Sequence, residues 1–288
     1  MRWWTAAVLA CLVCVSCTPA AETSETTTSA APPPPTVSVE PEDSCTSGEL
    51  EFHADGLVAA LGDVEADATT ISQIRWDAEA TCERMIIRFA TGSGAPATTI
   101  GLTGVALLAS AGLVRVELPA EVTGTAVADM WTDGGLVDRT YIVRDEDGEM
   151  FVDVHGTADA PIAVRAFATR SPATIVIDFI SQPDLPTPVG TTVSDFAVVI
   201  TPSPGPALYP FTVEGYAQPS LRSVHVQLEQ ADTVEFDTVV ALDGDTDAWQ
   251  SVKVSIEDGP AGASTLFVGQ VDINGRRLDG ALVPLDLP

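Results

Sequence analysis

The middle of the chain reads Tyr141-Ile142-Val143-Arg144, then Asp145-Glu146-Asp147-Gly148, then Glu149-Met150-Phe151-Val152-Asp153-Val154. The first and last segments are rich in β-branched and aromatic residues, which favour strands. Asp-Gly between two such segments is a strong signal for a tight turn. The stretch from Val137 to His155 therefore predicts an antiparallel β-hairpin.

Further strands are predicted on both sides of this hairpin, each bounded by Gly, Pro, Asp or Asn. They cover residues 84–90, 112–118, 162–169 and 174–179 before a proline-rich stretch, and 196–201, 211–217, 224–229, 234–242, 249–256, 264–271 and 280–287 after it. Only the segment from Asp55 to Leu61 favours a helix, of two turns, ended by Gly62.

The proline-rich stretch contains Pro183, Pro186 and Pro188, which disfavour both helix and sheet. We therefore place a linker at residues 183–195, between a β domain at 45–182 and a second domain at 196–288. Seven short strands in about ninety residues are typical of an immunoglobulin-like sandwich. The predicted fold class is all-β, with two β-sandwich-like domains in tandem.

The N-terminus predicts export. Arg2 is followed by an apolar run from Trp3 to Val15, shorter than the ~20 residues that a membrane-spanning helix needs. Cys14-Val15-Ser16-Cys17 resembles a bacterial lipobox. The resemblance implies a lipoprotein signal peptide over residues 1–17, acylation of Cys17, for instance by palmitate, and cleavage before that cysteine. The resemblance predicts an anchor in the lipid bilayer at the outer face of the cell membrane. Cys11 is a second candidate for lipidation, and secretion without a lipid is the alternative.

Residues 18–44 are rich in Thr, Ser, Pro, Glu and Ala and include the run Pro32 to Pro35. Such a segment buries too little apolar surface to offset its ordering entropy, so a disordered tether is predicted. The whole chain has 41 acidic and 13 basic residues and a net charge of −28. This charge repels phosphate backbones and anionic lipids, which argues against nucleic-acid binding and against a polybasic membrane contact.

Two cysteines remain beyond the signal, Cys45 and Cys82. A lone pair in an oxidising compartment usually forms a disulfide, and two free thiols are the alternative. Neither cysteine has another Cys or His nearby at the spacing of a zinc site.

We find no catalytic signature. The three histidines, His53, His155 and His225, are far apart, and the sequence has no Gly-x-Ser-x-Gly elbow, no His-Glu-x-x-His helix and no phosphate loop. We therefore predict no catalytic residue, metal or cofactor, although a triad assembled from distant residues is compatible with any sequence.

One acidic loop, at residues 243–247, has part of the spacing of a calcium site. Asp243, Asp245 and Asp247 alternate as calcium ligands do, but Ala248 and Val254 replace the Gly and Glu of an EF-hand. A solvated acidic loop is the simpler interpretation.

Aromatic side chains are the best ligand-binding candidates, because their rings can stack on sugars. Trp131 is placed in a loop, residues 129–135, and Tyr141 is a second candidate, in the first strand of the hairpin. Trp76 and Trp249 are further candidates, although strand aromatics more often pack in a core or across strands.

The second domain resembles the immunoglobulin-like domain of bacterial spore-germination lipoproteins (Gmad2). The resemblance is carried by Val199 to Gly205, by Tyr209 to Ala217 and by Val283 to Leu287. Ser220-Leu221-Arg222 stands where the family has a Phe-Glu pair. The resemblance implies a sandwich and identifies no contact residues.

The first domain, over residues 70 to 181, resembles the AMIN-like domain of actinobacterial lipoproteins. The matching segments are Met85 to Phe89, Leu113 to Leu118, Ile162 to Phe167 and Pro172 to Phe179. AMIN domains are β-sandwiches implicated in peptidoglycan binding and envelope localisation. The resemblance implies a non-catalytic envelope protein whose partner is peptidoglycan or a wall-associated protein. An assembly subunit that pairs with another exported protein through its edge strands is the alternative, and an unrecognised hydrolase is a third interpretation.

Overall fold

The computed structural model describes residues 45–47, 50–158, 160–244 and 246–288. These residues form strands joined by turns and loops, and none of them is helical. The predicted all-β fold with sandwich-like layers is therefore confirmed. Asp43–Pro288 forms one compact unit. The predicted signal peptide, the tether and Cys17 lie outside the described residues.

Most strands in these ranges are five to eleven residues long. In chain order they are β1 (Gly56–Leu61), β2 (Thr70–Ala78), β3 (Glu83–Ala90), β4 (Thr103–Leu108), β5 (Leu113–Glu117), β6 (Gly124–Thr125), β7 (Asp129–Trp131), β8 (Val137–Arg144), β9 (Met150–Gly156), β10 (Ile162–Thr169), β11 (Thr174–Ser181), β12 (Thr192–Val193), β13 (Ala197–Thr201), β14 (Gly205–Pro206), β15 (Phe211–Ala217), β16 (Ser223–Gln230), β17 (Thr233–Ala241), β18 (Trp249–Ile256), β19 (Gly262–Val271) and β20 (Arg277–Leu287).

The strands build three sheets. The central sheet has ten strands in the order β1-β4-β5-β9-β8-β18-β15-β13-β12, with β7 also paired to β8. The first outer sheet has the order β10-β11-β3-β2-β6, and the second outer sheet has the order β14-β20-β19-β16-β17. Pairing is antiparallel except for β2 with β6, β14 with β20 and β18 with β8.

Hydrophobic cores form where these sheets face one another. A first core contains residues of β1 to β11, such as Ile177, and a second contains residues of β13 to β20, such as Val226. A third, smaller cluster includes Tyr141, Tyr216 and Trp249, which lie on β8, β15 and β18, neighbouring strands in the middle of the central sheet. Burial of apolar side chains in these clusters supplies the main driving force for the fold.

The central sheet is continuous through the two predicted domains. Strand β8, from the first, pairs in parallel with β18, from the second, and Val143 lies opposite Trp249. Each predicted domain also contributes most of one core. The domain boundaries at residues 182 and 196 stay a prediction.

The predicted hairpin is confirmed as β8 and β9, with Tyr141 opposite Asp153. The Asp145 carboxylate accepts hydrogen bonds from the amides of Asp147 and Glu149, at 3.0 and 2.8 Å. Gly148 closes the turn with a φ of +86°, a left-handed conformation that glycine adopts without strain.

The helix predicted from Asp55 to Leu61 is wrong. Gly56–Leu61 form β1 at the edge of the central sheet, where they pair with residues Thr103 to Leu107 of β4. A short apolar segment is ambiguous between helix and strand, and the backbone hydrogen bonds offered by β4 decide for the strand.

Two buried features fix the start of the described chain. The Cys45–Cys82 disulfide is present, with the two Cα atoms 6.1 Å apart, as predicted. Nearby, the fully buried Asp178 accepts hydrogen bonds from Arg84 at 2.6 and 2.9 Å and from Nε of Arg165 at 3.0 Å. Nη2 of Arg165 donates to the carbonyl of Cys45 at 3.0 Å. The ion cluster thus links β3, β10 and β11 to the disulfide.

Candidate binding surfaces

Trp131 ends strand β7 and does not lie in the predicted loop, and the loop that follows it towards β8 is held by one buried carboxylate. Glu83, at the start of β3, accepts hydrogen bonds from the amides of Gly135, Leu136 and Val137 at 2.7 to 3.0 Å. A Cβ atom on Gly134 would lie 2.3 Å from Oε2 of Glu83. The loop therefore approaches Glu83 so closely that only glycine fits, and its backbone is fixed.

Trp131 lies on a buried cation. The guanidinium carbon of Arg139 is 3.9 Å from the centre of the indole ring, which is the distance of a close cation–π contact. Arg139 is itself held by Asp129 at 2.8 Å, and Nε1 of Trp249 donates to the same carboxylate oxygen at 2.9 Å. Trp131 nevertheless remains 58% exposed. Trp131 is therefore an exposed indole whose position is fixed by its contact with Arg139.

Tyr141 has no accessible surface. Its ring packs at about 5 Å from Trp249, His155 and Tyr216. Burial raises the pKa of its hydroxyl well above the ordinary range. Tyr141 therefore lacks the exposed ring face that the predicted ligand contact required, because the neighbouring strands of the central sheet cover it. Its role is to support Arg139, which lies over its ring at 4.7 Å.

A buried polar network lies beside this aromatic cluster. The His155 ring is hydrogen-bonded through Nε2 to the Tyr216 hydroxyl and through Nδ1 to Thr191, at 2.9 Å. Burial, together with the positive charges of Arg115 and Arg139, lowers the pKa of His155 to about 3. The imidazole is therefore neutral in the folded protein at neutral pH.

Next to His155, Arg115 and Asp153 form a two-point ion pair. The Nε and Nη2 atoms of Arg115 donate to the two oxygens of Asp153 at 2.8 and 2.7 Å. Burial raises the pKa of the Asp153 carboxyl, and the Arg115 guanidinium opposes that rise. Arg115 also stacks on Phe151, at 4.3 Å. Arg115 lies at the border between this buried network and a cleft.

The cleft has a volume of about 460 Å³ and lies on the face of the central sheet that carries the third cluster. Its walls come from β5, β9, β13, β15 and β18 and from the β8–β9 turn. Its charged lining residues are Arg115, Glu117, Asp145, Glu146, Asp147, Glu214 and Lys253. The volume falls in the range of small-molecule sites, ~300–1,000 Å³.

The other sequence candidates are not brought together into a site. Asp247 accepts hydrogen bonds from the Thr125 amide at 3.0 Å and from Arg144 at 2.8 Å, so its carboxylate links the β17–β18 loop to β6 and β8. Asp245, the central member of the acidic loop, lies outside the described residues, as does Cys11. Nε1 of Trp76 donates to Glu83, which makes Trp76 part of the loop support.

The histidines are also dispersed. His53 forms a backbone bridge with Val164, and His225 contacts Asp237 at 3.0 Å on the second outer sheet. In the described part of the chain, the group Cys45, Glu79 and Cys82 has the geometry of a metal site, but both sulfurs belong to the disulfide.

Sequence reasoning missed Arg139, Glu83 and Arg115. For Arg139 and Arg115, the two-residue spacing along their strands was a usable signal. Arg139 and Arg115 occupy every-second positions on their strands, in register with Tyr141 and with Leu113, which places them on the same face as aromatic or apolar side chains. Charged residues within an apolar register are candidates for buried pairs. Glu83 had no comparable signal, because its partners are backbone amides of a distant loop.

No protein-family model, curated protein or solved structure matches the chain. The described residues also include no helix of the length and apolarity needed to cross a bilayer.

Proposed function

We propose that the protein is a non-catalytic binding module of the cell envelope, exported and anchored by a lipid on Cys17. In this proposal Trp131 binds a sugar ring of peptidoglycan. The observation that carries the proposal is the exposed indole of Trp131 held on Arg139. A solvent-exposed tryptophan with a fixed ring offers apolar contact at little cost in side-chain entropy.

The charge beneath the ring selects among ligands. Arg139 already occupies one face of the Trp131 indole, so a second cation on the other face would be repelled by the first. The surrounding negative charge disfavours strongly anionic polymers. A neutral sugar ring meets neither penalty, which favours a glycan backbone over a quaternary amine or a polyphosphate.

Sedimentation with purified peptidoglycan sacculi tests the proposal, with a soluble chain that begins at Thr18. Stacking on an aromatic ring contributes about 0.5–1.5 kcal/mol, so Trp131→Ala should weaken retention at least twofold and up to about tenfold. Trp131→Phe should keep part of the affinity. Leu102→Ala is the matched control, because it removes a similarly exposed apolar side chain elsewhere. Equal retention of wild type and Trp131→Ala, or no retention of either, would contradict the proposal.

A second candidate function rests on strand β17. This nine-residue strand is the outermost member of the second outer sheet, and it exposes Val234 and Val239. A long edge with apolar side chains can add a strand from another exported protein. Site-specific crosslinking in the envelope from position 239, but not from Glu214 on β15, would support assembly. A crosslink pattern unchanged by Val234→Lys would count against it.

A further inference from the structure

The cleft on the central sheet contains a cation that is fixed before any ligand arrives. Two nitrogens of Arg115 are bound by the fully buried Asp153, and its guanidinium stacks on Phe151. Its third nitrogen, Nη1, has no hydrogen-bond partner among the described residues, and the side chain is 26% exposed. Arg115 therefore offers a donor to the cleft at no cost in side-chain ordering.

Carboxylates surround this cation. Glu117 follows two positions later on β5, on the same face of the strand, and the β8–β9 turn contributes Asp145 to Asp147. Across the cleft Glu214 pairs with Lys253 at 2.9 Å. The lining thus has both signs of charge, with the negative sign in excess.

The position of Glu117 makes a cationic partner favourable. Burial raises the pKa of its carboxyl, Arg115 opposes that rise, and Asp153, Asp145 and Glu149 add to it. A positive group beside Glu117 would stabilise its charged form.

Ligands of a single sign fit this cleft poorly. A simple anion that reaches Arg115 must pass the carboxylates of the β8–β9 turn, which repel it. A simple cation is attracted by those carboxylates but meets Arg115 and Lys253 in the lining. A molecule with a carboxylate at one end and an amine at the other satisfies both sets of groups.

We propose that this cleft binds a small amphoteric ligand of the amino-acid or short-peptide class, with its carboxylate on Arg115 and its amine on Glu117. Residues two apart on a strand are separated by about 6.7 Å. A dipeptide spans about 7 Å when extended. The two charged ends of a dipeptide can therefore reach the two side chains at the same time. This site is distinct from Trp131 and goes beyond the proposed glycan contact.

Calorimetric titration of the chain from Thr18 with three probes tests the proposal. The probes are alanyl-alanine, its N-acetylated form, which lacks the amine, and its C-terminal amide, which lacks the carboxylate. Alanyl-alanine should bind saturably, and each blocked form should bind at least five times more weakly. An absence of saturable binding up to roughly 10 mM, beyond the millimolar range of a weak specific complex, or equal binding of all three probes, would overturn the proposal.

Substitutions locate the binding. Arg115→Gln should abolish the preference for the free carboxylate, but it leaves Asp153 buried without its cation and is at risk of unfolding. Glu117→Gln avoids that risk and should abolish the preference for the free amine. Glu235→Gln, on the exposed edge strand β17, is the matched control and should bind as wild type does. Trp131→Ala should also leave dipeptide binding unchanged. A Glu117→Gln variant that still discriminates against the acetylated probe would refute the assignment.

Discussion

The neutral, buried His155 predicts a specific loss of stability in mild acid. In the folded protein its pKa is lowered to about 3 by burial and by Arg115 and Arg139. In the unfolded chain an imidazole titrates near pH ~6.5. As the pH falls below 6.5, the unfolded chain therefore takes up a proton that the folded protein does not accept. The stabilisation is complete above that pH and is lost as the pH decreases towards 3.

The size of the effect follows from the separation of the two pKa values. Each pH unit below 6.5 changes the free energy of unfolding by about 1.4 kcal/mol for one such group. At pH ~5, about 1.5 units below, the loss is about 2 kcal/mol. Any folded-state pKa below about 4 gives nearly the same loss at this pH, so the prediction depends on the burial of His155 and not on the detailed value.

Urea denaturation at pH 8 and at pH 5 measures the effect. Wild type should lose about 2 kcal/mol more than His155→Gln between these two conditions, because the carboxylates titrate in both proteins and cancel in the difference. Thr191→Val is the matched control, since it removes the Nδ1 hydrogen bond but keeps the imidazole. The control should follow the pH dependence of wild type. Parallel losses in wild type and His155→Gln would refute the reasoning.

Three further predictions concern buried supports of the fold. Replacing both Cys45 and Cys82 by Ser should lower the free energy of unfolding by about 3–4 kcal/mol, and a reductant should bring wild type to the same value. A wild type whose free energy of unfolding does not change with reductant would contradict this prediction. Asp178→Asn should cost about 3–5 kcal/mol in chemical denaturation, because Arg84 and Arg165 lose the buried carboxylate charge that they share, whereas Asp77→Asn at an exposed pair should cost under about 1 kcal/mol. Similar costs for the two variants would count against the cluster. Glu83→Gln should cost about 1.5–3 kcal/mol and speed hydrogen exchange of the amides it binds, and unchanged exchange would show that another group holds the loop.

The strands that could be predicted from the sequence are those with local signals. The β8–β9 hairpin and β10 have the predicted bounds almost residue for residue, because their turns contain Gly or Pro and their strands are rich in β-branched residues. Strand β1 was misread as a helix, since its pairing with β4 involves residues more than forty positions away. Local propensity has no access to such a partner.

The candidate site was predictable only in part, for the same reason. Trp131 was identified because polar and glycine residues follow it in the sequence, although the structure places it at the end of β7. Its support was not, because Asp129 and Arg139 meet through the pairing of β7 with β8, and Trp249 joins them only through the parallel pairing of β8 with β18. Tyr141 was a candidate ligand contact, and the same pairing helps to bury it.

One face of the β8–β9 hairpin contains both aromatic side chains and buried charged or polar side chains. Arg139 and Tyr141 lie two positions apart on β8, and Asp153 and His155 lie two positions apart on β9. Each pair therefore shares one face of the hairpin, which is the face that the second half of the chain covers. An apolar contact there would tolerate several alignments of β15 and β18, whereas the His155–Tyr216 hydrogen bond requires one. The polar network thus selects the alignment of the two halves, and that alignment places both candidate surfaces. Trp249, through Asp129, fixes the cation beneath Trp131, and β15 and β18 supply the wall opposite Arg115. Each surface is therefore a property of the joined central sheet, which explains why neither could be derived from one half of the sequence.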